Sequence, residues 1–212
     1  PDQQRDRIML TFYYTPKTCA LATHIALIDA GADYTLRRID FKSGEQRSPE
    51  FLAINPKGRV PALVTPQGIL TETPALLTYL AQTYPQANLA PTDPFAFARL
   101  QAFTAFLSST LHVAHAHGPR GSRWTDDPAA QAALKAYVPT SITAAFKLVE
   151  DTMLQGPFVM GERYSIADPY LFTMSTWIEG DQVDTTQIPR VLAHRQMMSE
   201  RPSVIRALAE EA

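Results

Sequence analysis

The spacing of apolar residues changes character once along the chain. The first part mixes short apolar runs with helical periods. IMLTFYY (Ile8 to Tyr14) is a β-branched and aromatic run closed by turn chemistry at Pro16, and predicts a buried strand. CALATHIALIDAGAD follows, with Leu21, Ile25 and Ile28 at i, i+4, i+7 and Gly31 where a helix should end. YTLRRIDF (Tyr34 to Phe41) predicts a second strand. Such short connections make the two strands parallel neighbours across one helix. Ser48 and Pro49 read as the N-cap and first residue of a short helix ending near Asn55. NPKG is a turn, and VPALVT and GILT are short strands joined at PQG in a hairpin. ETPALLTYLAQTYP places Ala75, Leu76, Tyr79 and Leu80 on one helical face and stops at Pro85.

Beyond Tyr84 the pattern is helical throughout. PQANLAPTDP, with three prolines, reads as a linker. Phe95 to His117 is helical by period and length. DPAAQAALKAYVPTSITAAFKLVEDTML is a second long pattern, in which Pro139 predicts a kink or break. YSIADPYLFTMSTWI is apolar nearly all round, which predicts a central buried helix. Ser165 and Asp168 form a variant capping box at its start. The chain closes with two short helices separated at Arg201-Pro202. The expected organisation is a polar tail over 1–7, a first domain over 1–86, a linker over 87–94 and an all-helical domain over 95–212.

Composition narrows the function classes. The 212 residues are 45% hydrophobic and 19% charged, a globular balance with room for a core. A net charge of -2 offers no basic excess for nucleic acid. No apolar run approaches the length of a membrane span, and the polar start lacks the apolar core of a signal peptide. One cysteine cannot form an internal disulfide, so a reducing, cytoplasmic setting is expected.

That cysteine, Cys19, falls at the start of the first predicted helix. Free N–H groups and partial positive charge there favour a thiolate. The alternative is a small buried apolar residue. The hydroxyls of Tyr14, Thr15, Thr18 and Thr23 lie close to it in sequence. Val60-Pro61 enters a strand, where a trans proline is the ordinary reading and a cis one the rarer. Glu72 and Thr73 stand at a strand-to-helix junction. Together they suit a carboxylate and an ammonium on one carbon, or Thr73 simply caps the helix. His112 and His115 share a face at i, i+3, but no further ligands stand near them in sequence for a metal site.

In this order, YYTPKTCALATHIAL, FLAINPKGRVPALV, LTETPALLTYLA, GERYSIADPYLF and SERPSV resemble the cytosolic glutathione transferases, most closely the bacterial beta class. The resemblance runs from Ile8 onward. It implies an α/β plus all-α protein: a thioredoxin-like N-terminal domain followed by an all-helical C-terminal domain. It implies that Pro61 is the cis-proline of that fold, and that the Val60 backbone pairs with the cysteinyl part of glutathione. By the same resemblance Glu72 and Thr73 take the γ-glutamyl end, and Cys19 lies beside the glutathione sulfur. His112 faces that sulfur as a second catalytic residue, with Tyr14 and Thr18 as alternative hydroxyl donors. His115 and Trp177 line the cleft for the electrophile.

The chain also departs from the beta-class pattern. Ala20 stands where serine often follows the cysteine. Ala105 and Val113 replace an asparagine and a lysine, and His115 replaces a larger apolar residue. The implied activity is conjugation of glutathione to small apolar electrophiles. The alternatives are thiol-disulfide exchange or deglutathionylation through Cys19, or a non-catalytic ligand-binding protein of the same fold. Glutathione is the implied co-substrate, with no metal, and a homodimer is the implied assembly.

Overall fold

The computed structural model describes residues 9–212. The expected polar tail, and Ile8 of the first strand, lie outside the described residues. Two compact units emerge. Unit 1 takes the chain up to Ala90 together with Arg201–Ala212, and unit 2 takes Pro91–Glu200.

Unit 1 opens with strand β1 (Met9–Tyr14), helix α1 (Ala20–Ala30) and strand β2 (Asp33–Arg38). β1 and β2 are parallel, from Met9 opposite Asp33 to Tyr14 opposite Arg38. Gly31 ends α1 in the left-handed conformation, φ 65°, with its N–H on the Ile28 carbonyl. Helix α2 (Pro49–Ile54) is capped as expected: the Ser48 side chain accepts from the Phe51 N–H. Strands β3 (Ala62–Thr65) and β4 (Gly68–Thr71) form the hairpin, and helix α3 (Thr73–Thr83) follows. Among the described residues the strands form one sheet in the order β2-β1-β3-β4. β3 runs antiparallel to both neighbours, Phe12 standing opposite Leu63.

The period-2 alternation of β1 turns Leu10, Phe12 and Tyr14 into the core. Phe12 is fully buried, and truncating such a ring costs about 3–5 kcal/mol. α1 buries residues on nearly all sides, which its apolar composition allows.

Unit 2 is helical. Helix α4 (Pro94–Phe106) is capped by the Asp93 side chain on the Ala96 N–H. It passes into one π-type turn, Leu107–Leu111, and then helix α5 (His112–Ala116). Helix α6 (Pro128–Leu148) runs unbroken through Pro139, contrary to the expected break. The proline frees the carbonyl of Lys135 four residues earlier, but Lys135 is exposed and water can serve that oxygen. A second π-type turn, Val149–Met153, ends this helix.

Helix α7 (Ala167–Ser175) is buried at every residue, the central helix that its composition predicts. Its capping box closes in both directions. The Ser165 hydroxyl accepts from the Ala167 N–H, and the Asp168 carboxylate accepts from the Ser165 N–H at 2.8 Å. Asp168 also accepts from the Val159 N–H and faces His194 Nε2 at 3.0 Å, on helix α8 (Pro189–Ser199).

The last helix, α9 (Pro202–Glu211), belongs to unit 1 and packs beside α1. The sequence reading placed residues 95–212 in one helical domain; the final twelve group instead with the first. The reason is local: His24 of α1 is fully buried and finds its partners, Glu210 and Glu211, on α9.

Candidate functional site

Cys19 is the N-cap residue of α1, one position before the first helical residue, and is a buried thiol outside any disulfide. Its Sγ lies 3.7 Å from the Val60 carbonyl oxygen, the geometry of a weak S–H donor. The Val60-Pro61 bond is cis, as the family resemblance implied. Pairing of β3 with β1 and β4 begins only at Ala62, so the Val60 backbone stands beyond the ladder. An extended ligand can add there as a strand does.

The first-turn N–H groups of α1 are already in use. The Ala20 N–H donates to the Thr18 hydroxyl, the Leu21 N–H to the Thr18 carbonyl and the Ala22 N–H to the Cys19 carbonyl, each at 3.3 Å. These bonds are long, and the partial charge at the helix end remains.

Two of the neighbouring hydroxyls donate elsewhere. Thr15 donates to the Ile39 carbonyl and Thr18 to the Thr15 carbonyl at 2.7 Å. Thr23 is fully buried in α1 with no protein partner for its hydroxyl. Tyr14 packs against Phe12 and His24, and burial pushes its phenol up from the ordinary value. Of the two hydroxyl candidates, Tyr14 packs in the core and Thr18 bonds within the turn that precedes α1. Tyr14 is buried by the pleat of β1, and Thr18 is drawn into the turn that starts α1.

Glu72 occupies the capping position of α3 with φ 75°, a conformation that L-residues adopt at a cost of about 1–3 kcal/mol. Thr73 is the first helical residue and is buried, so it is not the cap. The Glu72 carboxylate is exposed and ion-pairs with Lys57 Nζ, which also donates to the Thr71 hydroxyl at 2.9 Å. Sequence reasoning passed over Lys57. Its signal lay in NPKG: the Asn55 side chain accepts from the Lys57 N–H and donates to the Arg59 carbonyl. Gly58 closes that turn at φ 61°, where a Cβ would stand 2.9 Å from the Gln46 carbonyl oxygen.

Unit 2 carries a second cluster. The His115 ring stacks on Trp177, centroids 3.9 Å apart and planes 17° apart. The His112 ring lies 5.1 Å from Trp177 and 6.3 Å from His115. His115 Nδ1 lies 2.9 and 2.8 Å from the two carboxylate oxygens of Asp181. Asp181 is the other residue that the sequence reading missed. It stands four after Trp177, and its N–H donates to the Trp177 carbonyl, so one turn fixes both. Among the described residues no group of three or more His, Cys, Asp or Glu side chains could hold a metal ion, and no helix is long and apolar enough to cross a membrane.

Unit 1 is thus a thioredoxin-like thiol-binding unit: β-α-β then β-β-α, a cysteine at the first helix, a cis-proline beside it. A helical unit follows. Family models place the match at the next level. The glutathione S-transferase N-terminal domain matches residues 9–82, and the glutathione S-transferase C-terminal domain matches residues 115–211. Glutathione S-transferase GstA of Escherichia coli is 30% identical over 95% of this chain and 98% of its own. Maleylacetoacetate isomerase of Pseudomonas aeruginosa is 29% identical over 92% and 93%. A glutathione transferase homolog from Sulfitobacter, solved with bound glutathione, superposes with a TM-score of 0.92 at 46% identity, covering 95% of this chain and 98% of that one. The chain belongs to the glutathione S-transferase family, transferases whose thiol substrate is glutathione.

Proposed function

We propose that this transferase conjugates glutathione to small apolar electrophiles and is of the cysteine-bearing, beta-class kind. The observation that carries the reading is Cys19 Sγ against the Val60 carbonyl, beside the cis Val60-Pro61 bond. The cysteinyl part of glutathione pairs with the Val60 backbone, and its γ-glutamyl end goes to Glu72 and Thr73. Cys19 and the end of α1 hold the ligand sulfur as thiolate, where the helix charge favours it. His112 is proposed as the second catalytic group, with His115 and Trp177 receiving the electrophile.

Calorimetry with glutathione, paired with turnover of an aryl halide, tests this on wild type and Cys19→Ala. The reading expects binding, turnover, and a clear loss of turnover in the variant. No binding at millimolar glutathione sinks it. Full turnover in the variant removes Cys19 as activator.

A second reading is favoured by the presence of a thiol, Cys19, at the start of α1 beside Val60. The Cys19 thiolate attacks a glutathione mixed disulfide at the glutathione sulfur and releases the substrate thiol. A second glutathione then attacks the Cys19 adduct, leaving glutathione disulfide and free Cys19. Reduction of a glutathionylated peptide, abolished by Cys19→Ala, distinguishes it from conjugation. We further propose a homodimer in a reducing, cytoplasmic compartment; light scattering of the purified chain checks the assembly.

A further inference from the structure

We propose that Lys57 takes the α-carboxylate at the γ-glutamyl end of glutathione, and so makes the site selective for a ligand whose end is a zwitterion. The proposal rests on the reading that this end goes to Glu72 and Thr73. All the residues concerned belong to unit 1.

Helix α3 starts without a side-chain cap. Glu72 holds the capping position, but at φ 75° its carboxylate meets Lys57 instead of the first-turn N–H groups. The positive end of α3 is therefore left uncapped at Thr73. Lys57 brings a second positive charge to the same place. Its ammonium has three donors and, among the described residues, two partners: Glu72 and the Thr71 hydroxyl at 2.9 Å. One donor remains for a ligand. The pair also engages only Oε1 of Glu72 among the described residues, so Oε2 remains to accept from a ligand ammonium.

A surface lysine ordinarily has a wide choice of rotamers and pays for giving them up. Here the backbone beneath it has one shape. The Asn55 side chain is buried and bonds on both sides of Lys57, accepting from the Lys57 N–H at 3.2 Å and donating to the Arg59 carbonyl at 2.6 Å. The Gly58 N–H donates to the Asn55 carbonyl at 2.9 Å, and the Gln46 carbonyl leaves no room for a side chain at Gly58. The Thr71 hydroxyl then steadies the ammonium from β4. Val60 stands three residues after Lys57. One turn thus supplies the backbone that pairs with the cysteinyl part and the cation for the end beside it.

The ligand end carries an ammonium and a carboxylate on one carbon. Glu72 alone attracts the first and repels the second. Lys57, seated on Glu72, offsets that repulsion and adds a charge-assisted hydrogen bond. An ion pair this exposed, with side chains 42% and 63% accessible, adds little to stability, so holding the fold is a small part of its use.

The test is calorimetry with two ligands on wild type, Lys57→Gln, Lys57→Arg and Glu72→Gln. One ligand is glutathione. The other is 4-aminobutyryl-cysteinyl-glycine, which keeps the ammonium and lacks the α-carboxylate. Lys57→Gln should raise the glutathione Kd roughly 10-fold and change that of the analogue by less than about two-fold. Lys57→Arg keeps the charge and should recover most of the glutathione affinity. Equal weakening toward both ligands would mean that Lys57 acts only by holding Glu72, and overturns the proposal. Tighter glutathione binding in Lys57→Gln would make Lys57 a competitor of the ligand ammonium, and overturns it too. So does an unchanged Kd. If any of these comes with a weakened Glu72→Gln, the placement of the γ-glutamyl end stands without Lys57. A Glu72→Gln that binds glutathione as wild type does, or a wild type that does not bind it, overturns the placement and the proposal together.

Discussion

His24 and Glu211 meet at 3.0 Å although 187 positions of sequence separate them. The other ring nitrogen of His24 faces Glu210 at 2.8 Å, so both ring edges of a fully buried histidine end on carboxylates of α9. Arg206 and the Tyr34 hydroxyl donate to the same Glu210. Removing the imidazole leaves Glu211 buried without this partner. His24→Ala should therefore lower stability by about 3–5 kcal/mol, read by urea unfolding.

Acid should act through Glu210. Burial alone would raise its carboxyl, but the hydrogen bonds from Arg206, Tyr34 and His24 outweigh it and hold the group down at about 2, against an ordinary 4.5. A depressed carboxylate stabilises the fold above its unfolded value and loses that contribution as pH falls toward the folded one. The contribution should fade between about pH 4.5 and pH 2. Because the group is partly exposed, about 1–2 kcal/mol is expected. Glu210→Gln should lack that acid-sensitive part, so urea midpoints of variant and wild type converge at the acid end. A constant gap across the range would refute this.

Glu72 should matter for ligand rather than for fold. Its side chain is exposed and its partner Lys57 is a surface group, so Glu72→Gln should shift stability by under about 1 kcal/mol. If its carboxylate takes the ligand ammonium, losing the charge costs about 1.5–3 kcal/mol of binding. That is roughly a 10- to 100-fold rise in the glutathione Kd, measured by calorimetry. An unchanged Kd removes Glu72 from the site.

Asp168 serves four groups from a fully buried position: two backbone N–H groups, the Ser165 hydroxyl and His194. Asp168→Ala should cost about 3–5 kcal/mol, through an emptied cap and buried donors left unpaired. Asp168→Asn keeps one acceptor and should cost less. Equal loss in the two would show that the charge, not the hydrogen bonds, does the holding.

Pro139 offers the opposite sign. It lies inside α6 without ending it. Alanine restores a backbone donor and removes a ring that crowds the preceding turn. Pro139→Ala should raise stability, by up to about 3 kcal/mol. A lower urea midpoint would mean that α6 needs the bend that proline imposes.

The local pattern sufficed where the physics is local. Alternation along β1, the Ser48-Pro49 start of α2, Gly31 at the end of α1 and the all-round apolar α7 each depend on residues within one turn or one pleat. Residues such as Cys19, Val60 and Glu72 stood out because thiols, X-Pro bonds and helix starts carry their own chemistry. Lys57 and Asp181 did not, because each acquires meaning only through a partner brought near by folding. The grouping of α9 with unit 1 was hidden for the same reason. Nothing near His24 in sequence announces that its acceptors lie almost at the other end of the chain.

Unit 1 is interrupted by the whole of unit 2 and completed by α9. On the ribosome, β1 through α3 emerge early, yet His24 must wait for its carboxylates until the helical unit has been synthesised. For that interval the first unit holds a core histidine without its carboxylate partners, with only the Tyr34 hydroxyl near one ring nitrogen. A fragment cut after Ala90 would live permanently in that waiting state.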